Sequence, residues 1–92
     1  MVRAIVLYDH EPDAARYEQH VELCRKVPAA TFRHGKVFGA PIGEPRYRYY
    51  AEWEWPDMGG FKSGARSAEF MATGKEAMEM GGTFTVMFAD VG

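Results

Sequence analysis

Apolar positions follow two periods along this chain, and the switches between them mark out six elements. Residues 2–8, VRAIVLY, are β-branched and apolar and end at Asp9, so they predict a strand. Ala14, Tyr17, Val21 and Cys24 then recur at steps of three and four, the period of an amphipathic helix. Pro12 suits a first helical turn, because its missing N–H costs nothing there, and Pro28 ends the element. Glu11 and Asp13 at one end, with Arg25 and Lys26 at the other, complement the helix dipole. Residues 30–38 alternate weakly and predict a second strand. The run 39–45, GAPIGEP, is turn chemistry, and 46–55, RYRYYAEWEW, is a strand of aromatics. Pro56 cannot extend that strand, and Asp57 is placed to cap a helix directly after it.

The stretch 57–80 has a helical composition but carries Gly59, Gly60, Gly64 and Gly74. Each interior glycine costs about 1 kcal/mol relative to alanine, which predicts a helix broken near Ser67, with Ser67 capping the second piece. Gly81 and Gly82 turn the chain into a last strand over 83–89. The order β-α-β-β-α-β is the split βαβ, ferredoxin-like arrangement of an α+β fold. One such domain accounts for residues 1–92, with no linker or repeat.

That order places both helical segments on one face of the sheet. The other face should then read polar, and it does not. The first strand carries Val2, Ala4, Val6 and Tyr8 on one side and Ile5 and Leu7 on the other. The last carries Phe84, Val86 and Phe88 against Met87 and Ala89. A bare apolar sheet face exceeds what a soluble monomer usually shows, so a second copy packed sheet against sheet is expected. The third strand, central in this order, puts Tyr47, Tyr49, Ala51, Trp53 and Trp55 on one face and Arg46, Arg48, Tyr50, Glu52 and Glu54 on the other. The charged row has three readings. Arg46 and Arg48 pair with Glu52 or Glu54 across the dimer, or a wet cavity lies there, or the charges reach the solvent rim. Tyr50, the aromatic among them, is a dimer contact or a pocket wall.

Composition narrows the function. The 92 residues carry a formal net charge of −2 and no run of Lys or Arg, so there is no electrostatic case for nucleic acid or an anionic membrane. The apolar run Ala4–Tyr8 is far too short to span a bilayer, and no signal peptide is expected. The single cysteine, Cys24, forms no intrachain disulfide, which fits a cytoplasmic location. Aromatics at 14% and 6 methionines suit a core, an interface or an apolar ligand site.

His20 is the main candidate for chemistry. On the helical wheel it sits between Cys24 and Val27, inside the apolar arc. Its ring therefore lines a pocket, where an imidazole titrating near neutrality can move protons, or fills the core bonded to a backbone carbonyl. Tyr17, one turn earlier, shapes the same pocket or packs as core. His10, His20, His34 and Cys24 make no ligand pairs at metal spacing, so no metal and no cofactor are expected. No phosphate loop and no serine elbow is present.

The run from His20 to Pro28, with Leu23 between, resembles the EthD family, whose helix carries His-x-Pro-Leu-Ala followed by a proline. Glu22 stands where that family has Pro, and Cys24 where it has Ala. The family's aromatic pair before the histidine is here Ala15-Arg16, with Tyr17 one residue late. Tyr49–Trp55, Ser67-Ala68-Glu69-Phe70 and Gly81-Gly82-Thr83 look like the family's later blocks. The resemblance implies a dimeric α+β barrel made of two ferredoxin-like sheets. The family is named for a protein needed in bacterial degradation of an ether fuel additive. Fungal polyketide relatives act on aromatic substrates without a cofactor, and similar barrels serve as monooxygenases, isomerases and haem proteins. The leading expectation is a dimer holding an apolar or aromatic small molecule. His20 would be its proton-transfer group, with Tyr17 and Tyr50 positioning the ligand and Arg48 steadying an anion. The alternative is a non-catalytic accessory or ligand-carrying dimer. Two further readings are haem bound through one axial histidine and an RNA-recognition module stacking bases on Tyr50 and Trp53.

Overall fold

The computed structural model describes residues 1–28 and 31–91. Ala30, the first residue of the strand expected over 30–38, lies outside them. The order is β1 (Val2–Tyr8), α1 (Ala14–Arg25), β2 (Thr31–Lys36), β3 (Tyr49–Trp55), α2 (Met58–Ala65), α3 (Ala68–Glu79) and β4 (Phe84–Asp90). The four strands form one antiparallel sheet in the order β2-β3-β1-β4, the ferredoxin-like α+β topology. The second helical segment is two helices. Ser67 caps α3 by accepting from the Phe70 N–H, and Asp57 caps α2 by accepting from that of Gly60. Gly81 and Gly82 both take positive φ in the turn before β4.

β2 ends at Lys36 rather than at 38 and β4 runs Phe84–Asp90 rather than 83–89, and two further boundaries differ for a local reason. Pro12 lies before α1 rather than in its first turn, because the Asp13 side chain accepts from the Arg16 N–H and makes Asp13 the cap. β3 starts at Tyr49, so Arg46 and Arg48 lie outside it. Two prolines and two glycines over 39–45 hold the chain off the ladder until Arg48, whose N–H reaches the Tyr8 carbonyl at 2.7 Å.

The register fixes the two faces. Val2, Ala4, Val6 and Tyr8 stand opposite Trp55, Trp53, Ala51 and Tyr49, and this set faces the helices. Trp53 anchors it, with its indole N–H donating to the Cys24 carbonyl of α1 at 2.9 Å and its ring edge-on to Phe70 of α3. Trp53 is therefore buried and can stack no base, whereas Tyr50, the other aromatic of the RNA reading, is half-buried on the opposite face. Trp55 donates to the Pro28 carbonyl at 2.6 Å, and α2 crosses directly above, where Gly64 leaves room. A methyl at Gly64 would stand 2.5 Å from the indole nitrogen and 2.6 Å from that carbonyl. Gly64→Ala is expected to destabilise the protein. Helix propensity gains about 1 kcal/mol, while overpacking against two fixed atoms costs about 1–3 kcal/mol. A thermal melt of the variant at or above the wild type would show that α2 shifts freely.

The helix-free face carries Ile5, Leu7, Met87, Ala89 and Tyr50, beside a charged quartet. Arg3 donates to Glu54 at 2.6 Å and lies 3.8 Å from Glu52, while Arg33 lies 3.9 Å from Glu52 and 4.0 Å from Glu54. The carboxylates of β3 are thus matched within the chain by arginines of the flanking strands, not by Arg46 and Arg48. Arg3 holds the Glu54 carboxyl below its usual range. The quartet is neutral as a set, so this face can be covered without stranding a net charge.

Candidate functional site

Two histidine–tyrosine pairs lie between α1 and the sheet. Amphipathic spacing points both Tyr17 and His20 of α1 at the sheet, and β1 and β2 meet them with Tyr8 and His34.

The inner pair is Tyr8 and His20. Tyr8 Oη lies 2.7 Å from His20 Nε2, with the rings edge-on at 5.7 Å. Cys24 Sγ, one helical turn on, lies 3.6 Å from the same nitrogen. His20 is 2% exposed, and its Nδ1 is without a partner among the described residues. Burial lowers the His20 pKa, with Arg16 adding to the shift and Glu76 opposing it, so the ring is neutral at pH 7. Burial also pushes the Cys24 thiol up to about 12 and raises the Tyr8 phenol further, so both keep their protons.

A neutral imidazole has one N–H: on Nε2 it donates to the Tyr8 oxygen, and on Nδ1 it leaves Nε2 to accept from the Tyr8 O–H. Tyr8 also borders a cavity of about 40 Å³, lined by Val6, Trp53, Phe70, Ala77 and Phe84. His20 lines no described cavity. Its ring is therefore core, screened by Tyr8 and Cys24.

The outer pair is Tyr17 and His34, with Tyr17 Oη 3.0 Å from His34 Nδ1. Tyr17 packs on Tyr49 at 4.7 Å, and His34 stacks on Phe32 at 5.7 Å. Glu11 accepts from Tyr49 and from Lys36, each at 3.3 Å, and braces the end of the sheet behind them. Burial, then neighbouring Tyr49, pushes the Tyr17 phenol up to about 12. Burial, helped by Arg25, lowers the His34 pKa. Both groups are neutral at pH 7. They line an open groove of about 590 Å³ with Val21 at its base and Glu18, Gln19 and Glu22 along the exposed side of α1.

The structure thus brings Tyr17 and His20 to one side of the sheet and leaves the other two candidates elsewhere. Tyr50 alternates onto the helix-free face, with its ring over Gly35. Arg48 is exposed near Glu11 at the sheet end, and the described hydrogen bonds join neither residue to His20. Sequence reasoning did not single out Tyr8 or His34. The available signal for Tyr8 was a phenol ending an otherwise apolar buried row, which needs a partner for its hydroxyl. Among the described residues no group of three or more His, Cys, Asp or Glu could hold a metal ion. No helix there is long and apolar enough to cross a membrane.

No family model matches the chain, and no curated protein matches it. Solved structures do. An EthD family protein from Bacillus halodurans C-125 is 28% identical, with a TM-score of 0.82 over 99% of this chain and 98% of that one. A dimeric ferredoxin-like protein of unknown function from Jannaschia sp. CCS1 is 17% identical, with a TM-score of 0.78 over 98% of each chain. A hydroxynitrile lyase from Passiflora edulis is 14% identical, with a TM-score of 0.78 over 99% of this chain and 93% of that one. The last two show the fold alone. The EthD resemblance read from the sequence is borne out, and it extends over the whole chain.

Proposed function

We propose that the protein is a cytoplasmic homodimer, closed through its helix-free sheet faces into an α+β barrel. Each copy holds a small apolar or aromatic molecule between α1 and the sheet. The observation that carries the ligand reading is the Tyr17–His34 pair on a groove of about 590 Å³. Pockets for small molecules run roughly 300–1,000 Å³ and combine apolar walls with a few polar anchors. Here Tyr17, Val21 and the ring of His34 supply the apolar area. The phenol and the imidazole supply a donor and an acceptor, both neutral, for a hydroxyl or carbonyl on the ligand.

The chemistry these residues offer is proton transfer, at His34 directly and at His20 through Tyr8, whose O–H passes its proton to Nε2 as the phenol oxygen takes one from the ligand. The second reading is a non-catalytic ligand carrier. It is favoured by the enclosure of His20, which is 2% exposed and lines no described cavity. The shared fold does not choose between them, since a lyase and proteins of unknown function use the same frame.

Native mass spectrometry of the freshly purified protein should find a small organic molecule at one per chain. His34→Ala and Tyr17→Phe should each weaken its rebinding by roughly five- to tenfold, the worth of one or two hydrogen bonds. Unchanged affinity in both variants would move the ligand out of the groove. If the bound molecule is turned over, His20→Gln with binding kept and turnover lost selects the enzyme.

A further inference from the structure

The segment between β2 and β3 carries the two most exposed large apolar side chains among the described residues. Val37 donates to the Arg48 carbonyl at 2.8 Å, and Arg48 donates to the Tyr8 carbonyl at 2.7 Å, so the root of this loop is tied to the sheet. Beyond the root the chain reads Phe38-Gly-Ala-Pro-Ile42-Gly, and it packs on nothing. Phe38 is 103% exposed and Ile42 is 91% exposed. Single exposed apolar residues are commonplace. A proline-stiffened arm that carries its two largest apolar side chains clear of its own fold is different, because a loop of this length without secondary structure is commonly functional.

The opposite edge of the sheet offers a matching surface. Val86 and Phe88 of β4 are on the helix side, but the helices cover them only in part, and they stay 44% and 57% exposed. Phe61 of α2 packs edge-on to Phe88 at 4.9 Å, and Met58 beside it is exposed. One chain therefore carries an apolar arm at its β2 edge and an apolar patch at its β4 edge, and it cannot join the two by itself because the sheet lies between.

We propose that the arm of each copy clasps the other, with Phe38 and Ile42 seated on Val86 and Phe88 of a second copy. A two-fold pairing that sets β2 over the other copy's β4 makes this exchange reciprocal, as a closed isologous dimer requires. A buried Phe removes roughly 150–250 Å² from water, so two arms add a substantial part of the roughly 1,200–2,000 Å² that a stable interface buries. Dimeric ferredoxin-like neighbours align over 98% of this chain. The inference rests on the homodimer proposed above but concerns a second contact, away from the sheet faces.

The test is Phe38→Ser/Ile42→Ser, measured by sedimentation beside the wild type. Neither side chain supports its own fold, so far-UV circular dichroism should not change. The dimer dissociation constant should rise by roughly thirtyfold or more, the loss of at least one hot-spot residue. Mixing Ile42→Cys protein with Phe88→Cys protein under mild oxidation should give a disulfide-linked dimer that neither sample gives alone. A wild-type dimer whose affinity the double variant leaves unchanged overturns the clasp and spares the sheet-face dimer. A monomeric wild type overturns both. Cross-linking in the Ile42→Cys sample alone places arm against arm and also overturns it.

Discussion

Met87→Asp is expected to turn the protein into a folded monomer. Met87 lies in the middle of β4 opposite Ile5, on the helix-free face, with Ala89 and Leu7 beside the pair. It is 43% exposed in the single chain. A carboxylate there keeps its water in the monomer and costs that state little. In a sheet-on-sheet dimer it is desolvated against apolar neighbours. Leaving one uncompensated charge in such an interface costs about 3–5 kcal/mol, or roughly 10²–10⁴ in the dissociation constant. Sedimentation at micromolar concentration should show one species of monomer mass with unchanged secondary structure. Met87→Leu, which conserves volume and apolarity, should leave the dimer intact. If Met87→Asp keeps the wild-type dissociation constant, the helix-free face is not the interface, and the apolar rows of β1 and β4 need another explanation.

That prediction stands on sequence pattern as much as on coordinates. Alternation along β1 and β4 put Ile5, Leu7, Met87 and Ala89 on one face, and the register confirms it. The period of two survives any error in pairing partner, because it is a property of the strand itself. The cap at Ser67 was legible for a similar reason, since a hydroxyl accepting from the N–H three residues on is local chemistry. The failures lie where a choice depends on distant residues. Asp13 displaced Pro12 as the feature that starts α1 because its carboxylate can reach an orphan N–H, whereas Pro12 only tolerates the position. Alternation alone put Arg46 and Arg48 on a face with Glu52 and Glu54. The loop preceding β3 removed them, and Arg3 and Arg33 took the pairing across the strands.

The site shows the same division. The wheel gave the direction of His20 but not what it meets. Its partner Tyr8 is on another element, 12 residues away in sequence. Likewise Tyr17 was legible as a helix-stripe aromatic, while His34, which turns it into a hydrogen-bonded pair, looked like an ordinary residue of a weakly alternating strand.

His20→Ala is expected to be among the most damaging single substitutions in the chain. The ring is 2% exposed, bonded to Tyr8 at 2.7 Å and packed on Cys24. Removing it opens a cavity and strands the Tyr8 hydroxyl, together about 2–4 kcal/mol. At about 4–8 °C per kcal/mol for a domain of this size, the melting temperature should fall by roughly 8–30 °C. Tyr8→Phe keeps the ring and removes only the hydroxyl, so it should cost less. The double variant should cost less than the sum, because both singles break one bond. The acid side gives an independent reading. Burial depresses the folded-state pKa of His20 below its ordinary value of about 6.5. Below that pH the unfolded chain therefore binds a proton that the folded chain resists. The contribution of His20 is full at neutral pH, and it is lost as pH falls from about 6.5 towards the folded-state value. His34, also depressed, adds to the same window, whereas Asp9, Glu11 and Glu54, held low by their partners, weaken the fold only in the more acidic carboxylate range. His20→Gln should flatten the stability profile below about pH 6.5 by more than His34→Gln does, since His20 is the more deeply enclosed. A His20→Ala melt within about 2 °C of the wild type, or a His20→Gln profile as steep as the wild type, would show that the ring is not held neutral in the core. Its proton chemistry would then be open to a ligand directly, without Tyr8 between.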